Sequence, residues 1–210
     1  MMRVFVTGTD TDIGKTLVSA WLCRHFGCDY FKPVQAGLLP RTDSEWVKTH
    51  VNCHTHPESY RFREPASPHY AARLEGQSLS LAQIRLPAVP RLVVEGAGGV
   101  LVPLGEGRTM LDLIRALALP VLVVASTRLG TLNHTLLTLQ ALRSQGIPVP
   151  GVILNGGLSD MTAQTIEDYG GTSVLQQLPL LPEVTASTLE RLEPSAALRA
   201  ALSNLSGGGV

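Results

Sequence analysis

The chain has 210 residues, 44% apolar and 16% charged, long enough for one sizeable buried core and too apolar for disorder. Its 17 basic and 17 acidic residues cancel and no basic block occurs, which excludes the clustered Lys and Arg of a nucleic-acid binder or a polybasic membrane patch. No apolar run reaches transmembrane length, and RVFVT follows the start without a charged leader, so a cytoplasmic protein with no nucleic-acid or membrane partner is expected.

Short apolar runs bounded by Gly, Pro, Asn or small polar residues read as buried strands. They are Arg3–Thr7, Tyr30–Pro33, Leu92–Glu95, Val121–Ala125 and Val152–Asn155. Helical spacing lies between them. Lys15–Phe26 puts Leu17, Ala20, Trp21 and Cys23 on one side, and Leu132–Ser144 does the same with Leu132, Leu136, Leu139 and Leu142. Strands alternating with helices, and apolar throughout, predict an α/β fold with a mostly parallel sheet covered on both faces. The stretch from Pro57 to Pro90 is irregular and proline-rich, with short helices over Pro68–Leu74 and Leu81–Arg85. Glu190–Leu205 reads as a C-terminal helix broken at Pro194, and SGGGV (206–210) as a frayed tail. There is no repeat or linker, so residues 1–210 read as a single domain. Three cysteines, Cys23, Cys28 and Cys53, form no CxxC and no expected disulfide framework.

In such sheets ligands bind beyond the carboxyl ends of the strands. The polar and glycine-rich motifs follow those ends in turn. GTDTDIGKT, Gly8 to Thr16, resembles a phosphate-binding loop with five residues between its glycines instead of four. Strand, loop, Lys, Thr and amphipathic helix are the required context. Backbone N–H groups at the helix start suit phosphates, Lys15 neutralises charge and the Thr16 hydroxyl suits Mg²⁺. FKPVQAG sets Lys32 at the end of the second strand. PRTDSEW offers Thr42 or Asp43 as the cap of a helix beginning near Ser44. VVEGAGG ends the third strand with Glu95, where a metal-binding acid of a P-loop protein stands, and its glycines admit close backbone approach. LGTLNHT opens a helix whose free N–H groups suit a carboxylate, although Asn133 and His134 equally suit capping and packing. In HVNCHTH the spacing of His50, Cys53, His54 and His56 is compatible with zinc. No second ligand cluster follows, so a polar loop is the expectation.

Only three lysines occur, and two of them, Lys15 and Lys32, lie in these motifs. Taken in order, GTDTDIGKT, KPVQAG, EPASPH, VEGAGG, RLGTLNH and LNGG resemble the dethiobiotin synthetase family, from Val4 to about Glu183. The resemblance implies a P-loop NTPase-like fold, a homodimer, and closure of a cyclic urea on 7,8-diaminononanoate with CO₂ and ATP. By motif it implies a phosphate-binding stretch Asp12, Ile13, Gly14, Lys15, Thr16 and Leu17, and Lys32 as catalytic lysine beside Lys15. It implies Thr16, Asp43 and Glu95 as Mg²⁺ ligands, and Glu95, Gly96, Ala97 and Gly98 facing nucleotide. Asn155 and Gly156 match the adenine-reading pair, and Pro179, Leu180 and Leu181 the later nucleotide segment. Thr11, Asp12, Lys32 and Ala36 match the substrate side. Gly130, Thr131, Leu132 and Asn133 match a helix start that holds the substrate carboxylate across the dimer interface. Two departures stand out: Ala36 occupies a position where many members carry Ser or Thr, and QQLP replaces a more usual Gly-Glu-Ile-Pro-like run. Among rivals, a ParA/MinD-like switch ATPase would carry an early second lysine where Thr9 and Asp10 stand, and a GTPase would carry NKxD where LNGG stands.

Overall fold

The computed structural model describes residues 1–205, so the expected frayed tail, 206–210, lies outside the described residues. The elements in chain order are β1 (Met2–Gly8), α1 (Lys15–Phe26), β2 (Asp29–Phe31), β3 (Val34–Ala36), α2 (Asp43–His50), β4 (Thr55–His56), β5 (Tyr60–Phe62) and α3 (Pro68–Leu74). Then come β6 (Arg91–Gly99), β7 (Pro103–Gly105), β8 (Arg108–Thr109), α4 (Met110–Leu117), β9 (Val121–Ser126) and α5 (Thr131–Ser144). The chain closes with β10 (Gly151–Asn155), α6 (Asp160–Gly170), β11 (Val174–Leu178), α7 (Ala186–Arg191) and α8 (Ala196–Asn204).

Seven strands make one parallel sheet in the order β11-β10-β9-β1-β6-β2-β4. The most apolar strands, β1, β6 and β9, lie at its centre, where both faces are buried. Alternation along the strands divides the core in two. Phe5, Phe31, Val94 and Val123 pack with α3, α4, α5 and α6. Val4, Val6, Tyr30, Val93 and Leu122 pack on the other face, with α1, α2, α7 and α8.

Several expectations need correction. β6 does not stop at Glu95 but runs on to Gly99, so Glu95 lies within the sheet and is buried. The second strand ends at Phe31, and the chain then starts β3, which pairs with β5 in a small separate sheet. HVNCHTH is not wholly loop, since Thr55–His56 is the edge strand of the main sheet. Leu81–Arg85 is only a 3₁₀ turn over Leu81–Gln83. The C-terminal helix is two helices. The first begins earlier than Glu190 because Thr185 caps it, and the chain restarts beyond Pro194 with Ser195 as the second cap. β11 went unforeseen because polar Gln176 and Gln177 interrupt it. Both side chains are used, accepting from Ser195 N and Ser159 N, at 2.7 Å each.

β1 has β6 on one side and β9 on the other, and the chain leaves these strands in different directions. Such a switch point opens a crevice at the carboxyl ends of the strands, and the motifs meet there.

Candidate active site

The loop between β1 and α1 is held from several sides. Gly14 takes φ 91° as the N-cap of α1, and a Cβ there would lie 2.1 Å from Asn155 Nδ2, so only glycine fits. The Asn155 amide donates to Ile13 O (2.9 Å), tying the end of β10 to the loop. Asp12 adopts φ 55°, a left-handed conformation that Asp tolerates better than most residues, and its side chain is exposed. The Asp10 carboxylate accepts from Thr11 N at 2.7 Å, a purely local bond.

Beneath the loop lies a buried network centred on Glu95. Its Oε1 accepts from Thr16 Oγ1 (2.9 Å) and from Lys32 Nζ (3.0 Å), and its Oε2 accepts from Tyr30 Oη (2.9 Å). Lys32 forms a second ion pair with Asp43. Burial alone lowers the Lys32 pKa, but Glu95 and Asp43 outweigh it and raise the value above the ordinary 10.5. Lys15 goes the other way. Its Nζ donates to Asp10 O (2.7 Å), and burial lowers its pKa, with Glu95 opposing and the Lys32 charge adding to the fall. One lysine is thus firmly charged within a carboxylate pair, and the other has no side-chain anion bound directly to it.

Asp43 is placed by its own helix. Thr42 caps α2 in a reciprocal capping box with Glu45, leaving the Asp43 carboxylate free to face Lys32. Gln35 locks the approach, accepting from Asp43 N (3.2 Å) and donating to Gly37 O (2.9 Å).

These groups line a cleft of ≈ 740 Å³. Thr11, Asp12, Gly14, Lys15, Thr16, Lys32, Ala36, Asp43, Glu95, Ala97 and Gly98 all face it, together with Pro65 to Pro68 of the EPASPH segment. Asn155 touches the loop, but Gly156 and the Pro179–Leu181 segment do not line the cleft. Neither do Gly130, Thr131, Leu132 and Asn133. They open α5, where the Thr131 hydroxyl donates to Ser126 O (2.6 Å) and Asn133 is exposed.

The oxygen-only set of Thr16, Asp43 and Glu95 suits a hard cation such as Mg²⁺. The HVNCHTH residues do not gather as a zinc quartet. His50 stacks on Trp46 with ring centroids 3.9 Å apart, and Cys53 packs against the apolar cluster that holds Cys23 of α1. All three cysteines are free.

A family model described as an AAA domain matches residues 2–188. ATP-dependent dethiobiotin synthetase of Lawsonia intracellularis is 48% identical over 191 residues, covering 91% of this chain and 94% of the relative. The protein of the same name from Paramagnetospirillum magneticum is 47% identical, covering 92% and 96%. This chain belongs to the dethiobiotin synthetase family. Its fold also matches the cell division ATPase MinD of Pyrococcus furiosus, with TM-score 0.58, 17% identity, and coverage of 99% of this chain and 98% of that one. That likeness is one of P-loop fold alone.

For a dethiobiotin synthetase relative, the reading by motif left out Tyr30 and Gln35. Tyr30 is an apolar-looking strand residue, and only the register of β2 beside β6, which pairs Tyr30 with Val93, shows that its hydroxyl reaches Glu95. Gln35 sits inside the quoted KPVQAG motif but acts through the backbone of Asp43, which the motif does not contain. Among the described residues no helix is long and apolar enough to cross a membrane.

Proposed function

We propose that this protein is an ATP-dependent dethiobiotin synthetase that closes a cyclic urea on 7,8-diaminononanoate with CO₂, releasing ADP and phosphate. One observation carries the reading. In a chain colinear with such synthetases, a second buried lysine, Lys32, shares Glu95 with the hydroxyl of the P-loop Thr16.

One substrate amine adds to CO₂ and loses a proton, giving a carbamate. A carbamate oxygen attacks the γ-phosphorus of ATP and ADP leaves, giving a carbamic-phosphoric mixed anhydride. The second amine attacks the carbonyl carbon and loses a proton, phosphate leaves and the ring closes. The middle step brings two anions together, so its barrier falls with positive charge fixed before they arrive. Lys15 and Lys32 supply that charge. Thr16, Asp43 and Glu95 would hold Mg²⁺, which offsets phosphate charge when bound. The stretch from Asp12 to Leu17 holds the phosphates through backbone N–H groups and the start of α1. Gly96, Ala97 and Gly98 bring backbone close to nucleotide, Asn155 and Gly156 read the base, and Pro179 to Leu181 pack on it.

Asp12 answers the other half of the substrate. A diamine arrives as ammonium, and an exposed carboxylate on the cleft rim orients it and accepts a proton. Thr11 and Ala36 flank the diamine, and Gly130 to Asn133 of a second copy hold its carboxylate in a homodimer. The test is phosphate release with MgATP and bicarbonate, with and without 7,8-diaminononanoate, followed by mass detection of dethiobiotin. Diamine-dependent release with product is expected. Release indifferent to the diamine would overturn the reading in favour of a switch-type ATPase.

A further inference from the structure

The reaction proposed above makes no use of the histidines at the far edge of the sheet. Strand geometry sorts them. His54 and His56 are two residues apart, so they leave the chain on one face, while Cys53 and Thr55 leave on the other. The register pairs Phe31 with His56, and Tyr30 N donates to His54 O at 2.8 Å. Asp29, at the start of β2, therefore falls beside both histidines.

One ligand atom from each of Asp29, His54 and His56 lies within 4.8 Å of the others. The Asp29 Oδ2 and His56 Nε2 atoms are already 2.8 Å apart, and the two imidazole centroids are 4.5 Å apart with planes at 84°. Zinc bonds of about 2.0–2.1 Å in a tetrahedron put neighbouring ligand atoms about 3.3 Å apart. Gathering these three around an ion therefore needs only small movements of partly exposed side chains. The Asp29 and His56 side chains retain 28% and 17% of their exposure and His54 is exposed, so a hydrated ion can reach them. Two imidazoles and one carboxylate favour Zn²⁺ and its transition-metal neighbours over Mg²⁺, and leave a fourth position to water.

We infer that Asp29, His54 and His56 form a divalent transition-metal site of the zinc class, separate from the oxygen-only group in the cleft. The ligands span β2 and the two-residue edge strand β4, so a bound ion staples that edge to the sheet. Cys53 takes no part, because it packs against the apolar cluster that includes α1.

The test uses tag-free full-length protein in excess Mg²⁺, with Zn²⁺ titrated against a chromogenic chelator and Co²⁺ as a spectroscopic probe. One Zn²⁺ per chain is expected, with affinity falling at least tenfold in His54→Ala and in Asp29→Asn and unchanged in Cys53→Ser. Zinc should raise the melting temperature of the wild type and not that of His54→Ala, as linkage requires. His54 is exposed and Asn is isosteric with Asp, so both variants keep the fold. The Co²⁺ spectrum should lack a thiolate charge-transfer band. Equal zinc affinity in wild type and His54→Ala, or a thiolate band lost in Cys53→Ser, would overturn the site. None of these readouts involves ATP or the diamine, so they stand or fall apart from the proposed reaction.

Discussion

The rim of the strand ends has two unlike regions. Around Glu95 the charged groups other than Lys15 are matched within the chain: Thr16, Tyr30 and Lys32 donate to one carboxylate, and Asp43 pairs with the same lysine. At the start of α5 the Thr131 hydroxyl is bonded to Ser126 O, but the outer face of the turn is open. Gly130 is an exposed N-cap at φ 94° with no capping side chain, and Leu129 and Asn133 are open to solvent. The first region is preorganised, with its groups held before any ligand arrives. The second is a helix start suited to an anion that a single chain leaves facing outward. Substitutions in the first region should therefore change kcat and stability together, and those in the second should change substrate affinity alone.

The strongest test is Lys32→Met. It removes one fixed cation and leaves Glu95 and Asp43 without their ammonium. Turnover should fall about 10³-fold, at the upper end of losses for one electrostatic group. Breaking a buried ion pair from one side should also destabilise the fold by about 3 kcal/mol. The pH course follows from sign. A lysine whose folded pKa lies above 10.5 contributes stability that is fully present below 10.5 and is lost as pH rises through the folded value. The melting-temperature gap between wild type and variant should thus be constant from pH 6 to 9 and narrow only at strongly alkaline pH. A gap closing near neutrality would mean that Lys32 is not held charged by its carboxylates.

Asp12→Asn comes next. The carboxylate is exposed, so stability should hardly change. Turnover should fall about 10²-fold, the lower range for a positioned acid–base group, with a raised KM for the diamine and an unchanged KM for ATP. Normal turnover with normal diamine KM would remove Asp12 from the substrate side.

How much of this was legible before the structure depends on where each residue's partner lies. The central strands and α1 were readable because their apolar runs and helical spacing are local signals. A cap at Thr42 or Asp43 was readable for the same reason, and the structure selects Thr42. Tyr30 was not, since its partner is 65 positions away and reached only through strand register. The zinc-compatible spacing in HVNCHTH, set aside in favour of a polar loop, was incomplete in a related way. Pleating sends Cys53 and the two histidines to opposite faces, and the third candidate ligand, Asp29, lies on another strand. β11 was hidden by Gln176 and Gln177, whose amides hold neighbouring loops where a buried strand would ordinarily be apolar.

Asn133→Asp probes the second region. A carboxylate in the first turn of α5 interacts favourably with the helix dipole, so stability should hold or rise slightly, by about 0.3–1 kcal/mol. On the proposed function, the same charge would repel the substrate carboxylate at that helix start. The KM for the diamine should rise about tenfold, equivalent to about 1.4 kcal/mol, while kcat and the KM for ATP stay near wild type. A fall in kcat with unchanged diamine KM would place this helix start away from the substrate.

Tyr30→Phe should have the smallest effect on turnover, and it separates support from chemistry inside the first region. The hydroxyl is buried and its pKa is pushed well up, first by burial and then by the Glu95 charge, so it stays a proton donor to Glu95 Oε2. Removing it leaves one buried carboxylate oxygen unsatisfied, which should cost about 1–3 kcal/mol of stability, read as a shift in denaturant midpoint. Glu95 keeps its bonds to Thr16 and Lys32 through Oε1, so it is loosened rather than displaced. The expected loss in kcat is therefore only a few-fold, with a weaker apparent Mg²⁺ affinity and no change in diamine KM. A loss as large as that of Lys32→Met would mean that Oε2, not Oε1, faces the reacting phosphate, and that the hydroxyl rather than the ammonium fixes the carboxylate. An unchanged Mg²⁺ dependence with full turnover would make Tyr30 a packing residue whose hydroxyl serves only to satisfy a buried charge.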